Sequence, residues 1–193
     1  NALKTEPWRN SWVDRVAIVL TGLALAAWAF NLPAVVSGAL ALPAAAAQLA
    51  RIWGWRPLPT LGTPLLWILH LAHGWIVVVL LILALAGVGL ADPASVPHIL
   101  SVGAMGGLIV GMITRTALGH TGRTLKAGLN ETVCYWLINI ALVLRVAPWF
   151  GLPASMFIPF LHSSATVWTI CFLLYLWRCV PILCSPRVDG APG

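Results

Sequence analysis

Histidine is the residue type in this sequence that most clearly could do chemistry. The chain has five histidines, and four lie in or at the edge of long apolar runs: His70, His73, His98 and His162. Polar side chains inside hydrocarbon are costly to place, so they are functional candidates. The alternative is structural, because a neutral imidazole can hydrogen-bond a group on a neighbouring helix. Four such residues in one chain favour a role as ligands of a metal or of haem iron.

The stretch 102–123, VGAMGGLIVGMITRTALGHTGR, adds a second set of candidate groups. It passes from a glycine-rich apolar half to a basic half with Arg115, His120 and Arg123. Arginine pairs with carboxylates through two parallel hydrogen bonds, and the propionates of haem are carboxylates. The stretch therefore suits a bound group with a flat apolar face and anionic ends, such as haem. Binding of phospholipid headgroups is the alternative.

The glycines and the sulfur-containing residues of this stretch share helix faces. At 100° per residue, Gly103, Gly107 and Gly111 line up on one side of a helix. Small residues allow close helix packing, and a flat macrocycle lying against them is the alternative. The opposite side carries His98 and Met105, whose imidazole and thioether groups could hold Cu(I). Methionine as a space-filling residue is the alternative there.

Depth in the membrane limits which histidines could share an iron. With a rise of about 1.5 Å per residue, His73 and His162 fall near the membrane centre, and His70 lies somewhat nearer the inner side. His70 or His73 opposite His162 is therefore an axial pairing that depth allows. His98 lies near the outer face, at the wrong depth to pair with His70, and His120 lies near the inner face.

The composition indicates an integral membrane protein. The 193 residues are 60% hydrophobic and 8% charged, with a mean hydropathy of +0.93, whereas soluble domains carry about 25% charged residues. The net charge of +6 comes from basic residues at the ends of apolar runs, which favours membrane anchoring over nucleic-acid binding. No Ser/His/Asp or Cys/His nucleophile set is evident. We also expect no buried carboxylate, so a proton-coupled transporter would lack its usual relay.

Six apolar runs predict an all-α, single-domain bundle of transmembrane helices. The runs cover 13–30, 33–50, 64–90, 96–118, 131–149 and 153–180. If the N-terminus is cytoplasmic, ten of the eleven lysines and arginines, including Lys4 and Arg9, fall on or near the inner side, and only Arg145 falls outside. The positive-inside rule therefore predicts that both termini are cytoplasmic. We expect Cys134 and Cys171 to be packing residues.

Three stretches, in this order along the chain, carry a resemblance to a known family. They are Pro64–Trp67 with Leu69-His70; His98, Val102–Gly107, Arg115 and Leu118–Arg123; and Pro181–Leu183, Pro186-Arg187, Asp189-Gly190 and Pro192-Gly193. With these residues the chain resembles the NnrS family of haem- and copper-containing membrane proteins.

The resemblance implies a multi-pass protein of the bacterial inner membrane. It implies haem b and copper as cofactors, nitric oxide as a ligand, and a role in denitrification or in protection from nitrosative stress, without a defined reaction. By matching position it assigns cofactor-binding roles to His70, His98, Arg115, His120 and Arg123, with His70, His98 and His120 as candidate metal ligands. Met105 is a candidate metal ligand from the helix-face argument alone. His73 and His162 rest on the depth argument alone.

Family members carry a further N-terminal half with its own histidine motif, which is absent here. We therefore expect a C-terminal half or a shortened member, completed by the missing half or by a homo-oligomer. Two other functions stay open. One is a cytochrome-b-like electron carrier, in which two histidines fill both axial positions. The other is a transport or structural helix bundle without a cofactor.

Overall fold

The computed structural model describes Pro7, Trp8 and residues 10–190. Four residues named above lie outside this part: Lys4 and Arg9, which were counted on the inner side, and Pro192-Gly193 of the last matching stretch. The described part is 80% helical and contains no strand. It has six helices long and apolar enough to cross a membrane, which confirms the predicted all-α, six-span architecture.

The six helices follow one another with short connections. They are α1 (Ser11–Ala29), α2 (Ala34–Gly54), α3 (Pro64–Gly87), α4 (Pro93–His120), α5 (Leu129–Val146) and α6 (Phe157–Leu183). Six crossings put the start of α1 and the end of α6 on one side, which we call the basic end because it carries Arg51, Arg56, Arg123, Arg178 and Arg187. Arg145 lies at the opposite end. That the basic end is cytoplasmic stays a prediction.

Several helix starts follow directly from local chemistry. The Asn10 side chain accepts a hydrogen bond from the Trp12 N–H at 2.9 Å and caps α1. Pro64 occupies the first turn of α3, where a missing N–H costs nothing. At α5 the Glu131 carboxylate accepts from the Gly128 N–H at 2.8 Å, which satisfies one of the free amides at a helix N-terminus.

Each helix packs mainly on the next one in the chain, with α3, α4 and α5 at the centre and α1 and α6 at the flanks. The glycines of α4 lie at its contact with α3. A Cβ added to Gly107 would lie 2.8 Å from the Cβ of Ala72, and one added to Gly111 would lie 3.0 Å from Ile68. The glycine face is thus a helix-packing face. The alternative of a flat macrocycle against it is wrong, because α3 already covers it.

The glycine-rich part of α4 is not a regular α-helix. Residues Ile99–Met105 form a π-helical segment, a feature found often near functional sites. A Cβ added to Gly103 would overlap Leu142 of α5 and lie 3.0 Å from the Trp75 ring of α3. The Trp75 indole donates to Asn139 Oδ1 of α5 at 2.9 Å. Gly103 therefore leaves room for an indole that joins α3 to α5.

Two expectations about α5 and α6 have opposite outcomes. Cys134 and Cys171 are fully buried, and each thiol donates to the other residue's carbonyl, at 3.5 and 3.3 Å, which confirms their packing role.

The expectation of no buried carboxylate is wrong. Glu131 is only 3% exposed and pairs with Arg178 at 3.2 Å, because α6 covers the first turn of α5.

Candidate functional site

His70 lies half-buried on α3, two turns from the basic end. Its Nδ1 lies 2.9 Å from the carbonyl oxygen of Leu66, one turn earlier in the same helix. A carbonyl can only accept, so Nδ1 is the donor, and Nε2 is the nitrogen that carries the lone pair whenever the imidazole is neutral. Nε2 makes no hydrogen bond to any residue that the structure describes. Metal-binding histidines have this arrangement, in which one ring nitrogen is held by a carbonyl and the other is free to coordinate.

An apolar groove of about 400 Å³ opens beside His70. Its walls include Ile52, Pro57, Thr60, Trp67 and Trp136. The volume lies within the range of about 300–1,000 Å³ that is usual for small-molecule and cofactor sites. Mostly apolar walls with few polar groups are also typical of such sites. Among the described residues, His70 is the single histidine that lines this groove.

His73, one turn further along α3, belongs to a polar network between α1, α2 and α3. Gln48 Oε1 accepts from Arg51 Nη1 at 3.0 Å and lies 2.9 Å from His73 Nε2. The same oxygen can only accept, so His73 donates through Nε2. Gln48 Nε2 donates to the Thr21 hydroxyl at 2.9 Å, and Arg51 pairs with Asp14 at 2.7 Å. This supports a structural role for His73, which does not line the groove.

Trp55 connects this network to His70. Its ring meets His73 edge-on, with centroids 4.8 Å apart, and His70 at 6.2 Å. The Arg51 guanidinium carbon lies 4.9 Å from the centroid of the Trp55 ring, a cation–π contact. Sequence reasoning had not singled out Trp55, Gln48 or Asp14. Gln48 could have been found, because it is a lone amide in an alanine-rich run.

His98 lies at the opposite end of the bundle. Its Nδ1 accepts from Arg145 Nε at 3.4 Å, and its ring centroid lies 4.9 Å from that of Trp149. Met105, the predicted copper-binding partner of His98, is 55% exposed on the surface of α4. Within the described ranges, no three His, Cys, Asp or Glu side chains converge to hold a metal ion. The structure thus does not assemble the predicted copper site.

His162 is exposed on α6. That helix packs on α5 rather than on α3, so the structure does not bring His162 opposite His70 or His73. Depth along the membrane allowed this pairing, but the order in which the helices pack rules it out within one copy of the chain.

The basic residues of the 118–123 stretch meet the C-terminal tail. His120 has an exposed side chain, and its carbonyl accepts from Arg187 Nη1 at 3.0 Å. Arg187 pairs with Asp189 at 2.6 Å, which raises the pKa of its guanidinium. Arg123 Nη1 lies 3.5 Å from the Ile182 carbonyl near the end of α6. The second and third stretches that carried the family resemblance therefore contact each other through hydrogen bonds. Arg115 is exposed on α4.

These features define a multi-pass helical membrane protein with one available imidazole nitrogen beside an apolar groove. A family model described as NnrS protein matches residues 1–187, and the chain therefore belongs to the NnrS family. The family as a whole is one of membrane proteins associated with haem and copper and linked to nitric oxide. No curated protein and no solved structure matches the chain.

Proposed function

We propose that this chain binds haem b through His70 and acts in a bacterial response to nitric oxide at the inner membrane. The observation that carries the proposal is the placement of His70, whose Nδ1 is held by the Leu66 carbonyl while its Nε2 has no hydrogen-bond partner among the described residues and the ring lies next to an apolar groove. Haem, when bound, would supply an iron able to coordinate nitric oxide. Family membership supports both the cofactor class and the link to nitric oxide.

The residues around the groove fit the apolar plate of haem. Trp67 and Trp136 contact each other, with ring centroids 5.2 Å apart, and offer flat walls. The hydrogen bond from His70 to Leu66 fixes the imidazole tautomer, so its Nε2 is ready to coordinate. His70 would be the one histidine of the described residues that holds the haem at this groove.

A single histidine at the groove favours ligand binding over electron transfer. A cytochrome-b-like carrier needs a second histidine opposite the first, and no other histidine of the described chain lines the groove. Copper has less support, because His98 and Met105 are not part of a common ligand set. We therefore restrict the proposal to haem.

The test is an absorption spectrum of the detergent-purified full chain, oxidised and dithionite-reduced, with and without CO and NO, alongside iron and copper analysis. We expect a Soret band that shifts on addition of either gas. His70→Ala should weaken haem binding by at least about tenfold, since loss of partners that only orient a ligand already costs about 10–100-fold. His162→Ala is the matched control, because that imidazole is exposed on α6, and it should keep its haem.

Three results would contradict the proposal in different ways. A reduced spectrum that ignores CO would indicate an electron carrier with both axial positions filled. Folded protein without haem or metal would indicate a cofactor-free helix bundle. Full haem content in His70→Ala would remove His70 from the site even if haem binds.

A further inference from the structure

Arg56 adopts a backbone conformation that arginine rarely has. It follows Trp55, the C-cap residue of α2, and its φ is +53°. Its N–H bonds the Trp53 carbonyl at 3.0 Å, as in the left-handed turns that end many helices. Glycine is the usual residue at this position because a Cβ is strained there. An arginine at this position strains the backbone. Its presence therefore has to be explained by what the side chain does.

Contacts within the described chain do not explain that side chain. Arg51, Arg178 and Arg187 each pair with a carboxylate, whereas Arg56 forms no ion pair with a described residue and is exposed. The negative end of the α2 dipole already has Arg51 in its last turn. A basic residue for membrane anchoring could equally stand at the neighbouring positions, where φ is ordinary.

Arg56 lies next to the His70 groove. A second hollow, of about 430 Å³, is lined by Trp8, Trp53, Arg56 and Pro57. Pro57 lines both this hollow and the groove that contains His70. The two hollows thus adjoin. The apolar one has an imidazole, and the one nearer the basic end has a guanidinium that forms no ion pair with a described residue. Together they suit a ligand with an apolar plate and a carboxylate edge.

We propose that Arg56 binds the propionate carboxylates of the haem held by His70, an inference that rests on the proposed function. A guanidinium binds a carboxylate through two parallel hydrogen bonds, which also fixes the orientation of the ligand. The sequence had suggested Arg115 and Arg123 for this role. Arg123 is directed at the Ile182 carbonyl instead.

The experiment titrates the purified full chain with haemin and, separately, with haemin dimethyl ester, in which both propionates are neutral. We expect Arg56→Gly to weaken haemin binding about tenfold or more, as loss of a charged hydrogen-bonding partner does. Its affinity for the dimethyl ester should stay that of the unaltered chain. Arg56→Lys should bind haemin with intermediate affinity, because lysine keeps the charge without the bidentate geometry.

The unfolding temperature of Arg56→Gly also tests whether this variant is correctly folded. Glycine relieves the left-handed strain, so the cofactor-free variant should unfold about 2–4 °C higher than the unaltered chain. A purely structural arginine would give the reverse, a lower midpoint and weaker binding of both probes. Lys126→Gln is the matched charge control, since Lys126 is exposed in the α4–α5 loop, and its affinity for haemin should not change.

The outcomes separate this inference from the proposed function. If the unaltered chain binds neither probe, the proposed function fails and this inference fails with it. If the unaltered chain binds haemin and Arg56→Gly binds it equally well, only the role of Arg56 is refuted. Equal weakening toward haemin and its dimethyl ester, or weakening in Arg115→Gln alone, would also refute that role.

Discussion

Gly107→Ala tests whether the glycine face of α4 exists for packing against α3. The added methyl group would lie 2.8 Å from the Cβ of Ala72. Carbon atoms in contact prefer about 3.5–4.0 Å, so the overlap is about 0.7–1.2 Å. Neither group has a rotatable bond that could move it away. The backbones of α3 and α4 must therefore separate by a comparable distance, which loosens the contacts on either side.

The expected magnitude combines two opposing effects. Overpacking of this kind costs about 1–3 kcal/mol, and replacing glycine by alanine inside a helix gains about 0.8–1 kcal/mol. Gly107→Ala should therefore change stability by between about 0 and 2 kcal/mol, in the destabilising direction. Gly22→Ala in α1 is the matched control, because no atom lies within 4 Å of its added Cβ. The difference between the two variants isolates the overpacking, about 1–3 kcal/mol.

The assay is reversible unfolding in mixed detergent micelles, followed by far-UV circular dichroism. Gly107→Ala combined with Ala72→Gly provides the decisive measurement, since removing the opposing methyl group should restore the packing. Its stability, corrected for the two propensity changes, should return to that of the unaltered chain. If Gly107→Ala is as stable as Gly22→Ala, or if Ala72→Gly gives no recovery, the close-packing argument is refuted.

Two further substitutions probe the polar contacts between helices. Gln48→Ala leaves Arg51 and His73 without their shared acceptor and should lower the free energy of unfolding by about 1–3 kcal/mol in the same assay. Haem content should stay unchanged, because the hydrogen bond of His70 is untouched. Loss of haem would show that His73 takes part in binding. Asn139→Ala removes the acceptor of the Trp75 indole and should cost about 0.6–1.7 kcal/mol, the range for hydrogen bonds inside membranes. An equal loss in a Trp75→Phe background would contradict that assignment.

The number of spans could be predicted because it depends on local properties. The length and hydropathy of a run decide whether it crosses a membrane, and both are visible in the sequence. The spacing of Gly103, Gly107 and Gly111 likewise indicated a close contact. The π-helical segment Ile99–Met105 carries no comparable signal in the sequence, and the residues that Gly103 meets there, Trp75 and Leu142, come from two other helices.

The candidate site could be predicted only in part. His70 was identified because an imidazole in an apolar run is costly, and because it lies in a stretch that resembles the family. Its predicted partner, His162, was chosen by depth, which is a single coordinate. A pairing also requires that the two helices be neighbours and that the side chains point toward each other. Neither condition can be obtained from distances along one chain. Arg56 was missed because a positive φ is not visible in the sequence.

His70 and His73 show why the structural and the functional interpretations of membrane histidines need not exclude each other. Three residues apart, they share a side of α3 and both contact Trp55. His73 uses Nε2 to bind Gln48 of α2, so this imidazole holds two helices together. His70 uses Nδ1 to bind a carbonyl of its own helix. That bond needs no neighbouring helix, so it orients the ring and leaves the outward nitrogen available. Of these two imidazoles, His70 is therefore the one that remains available as a ligand.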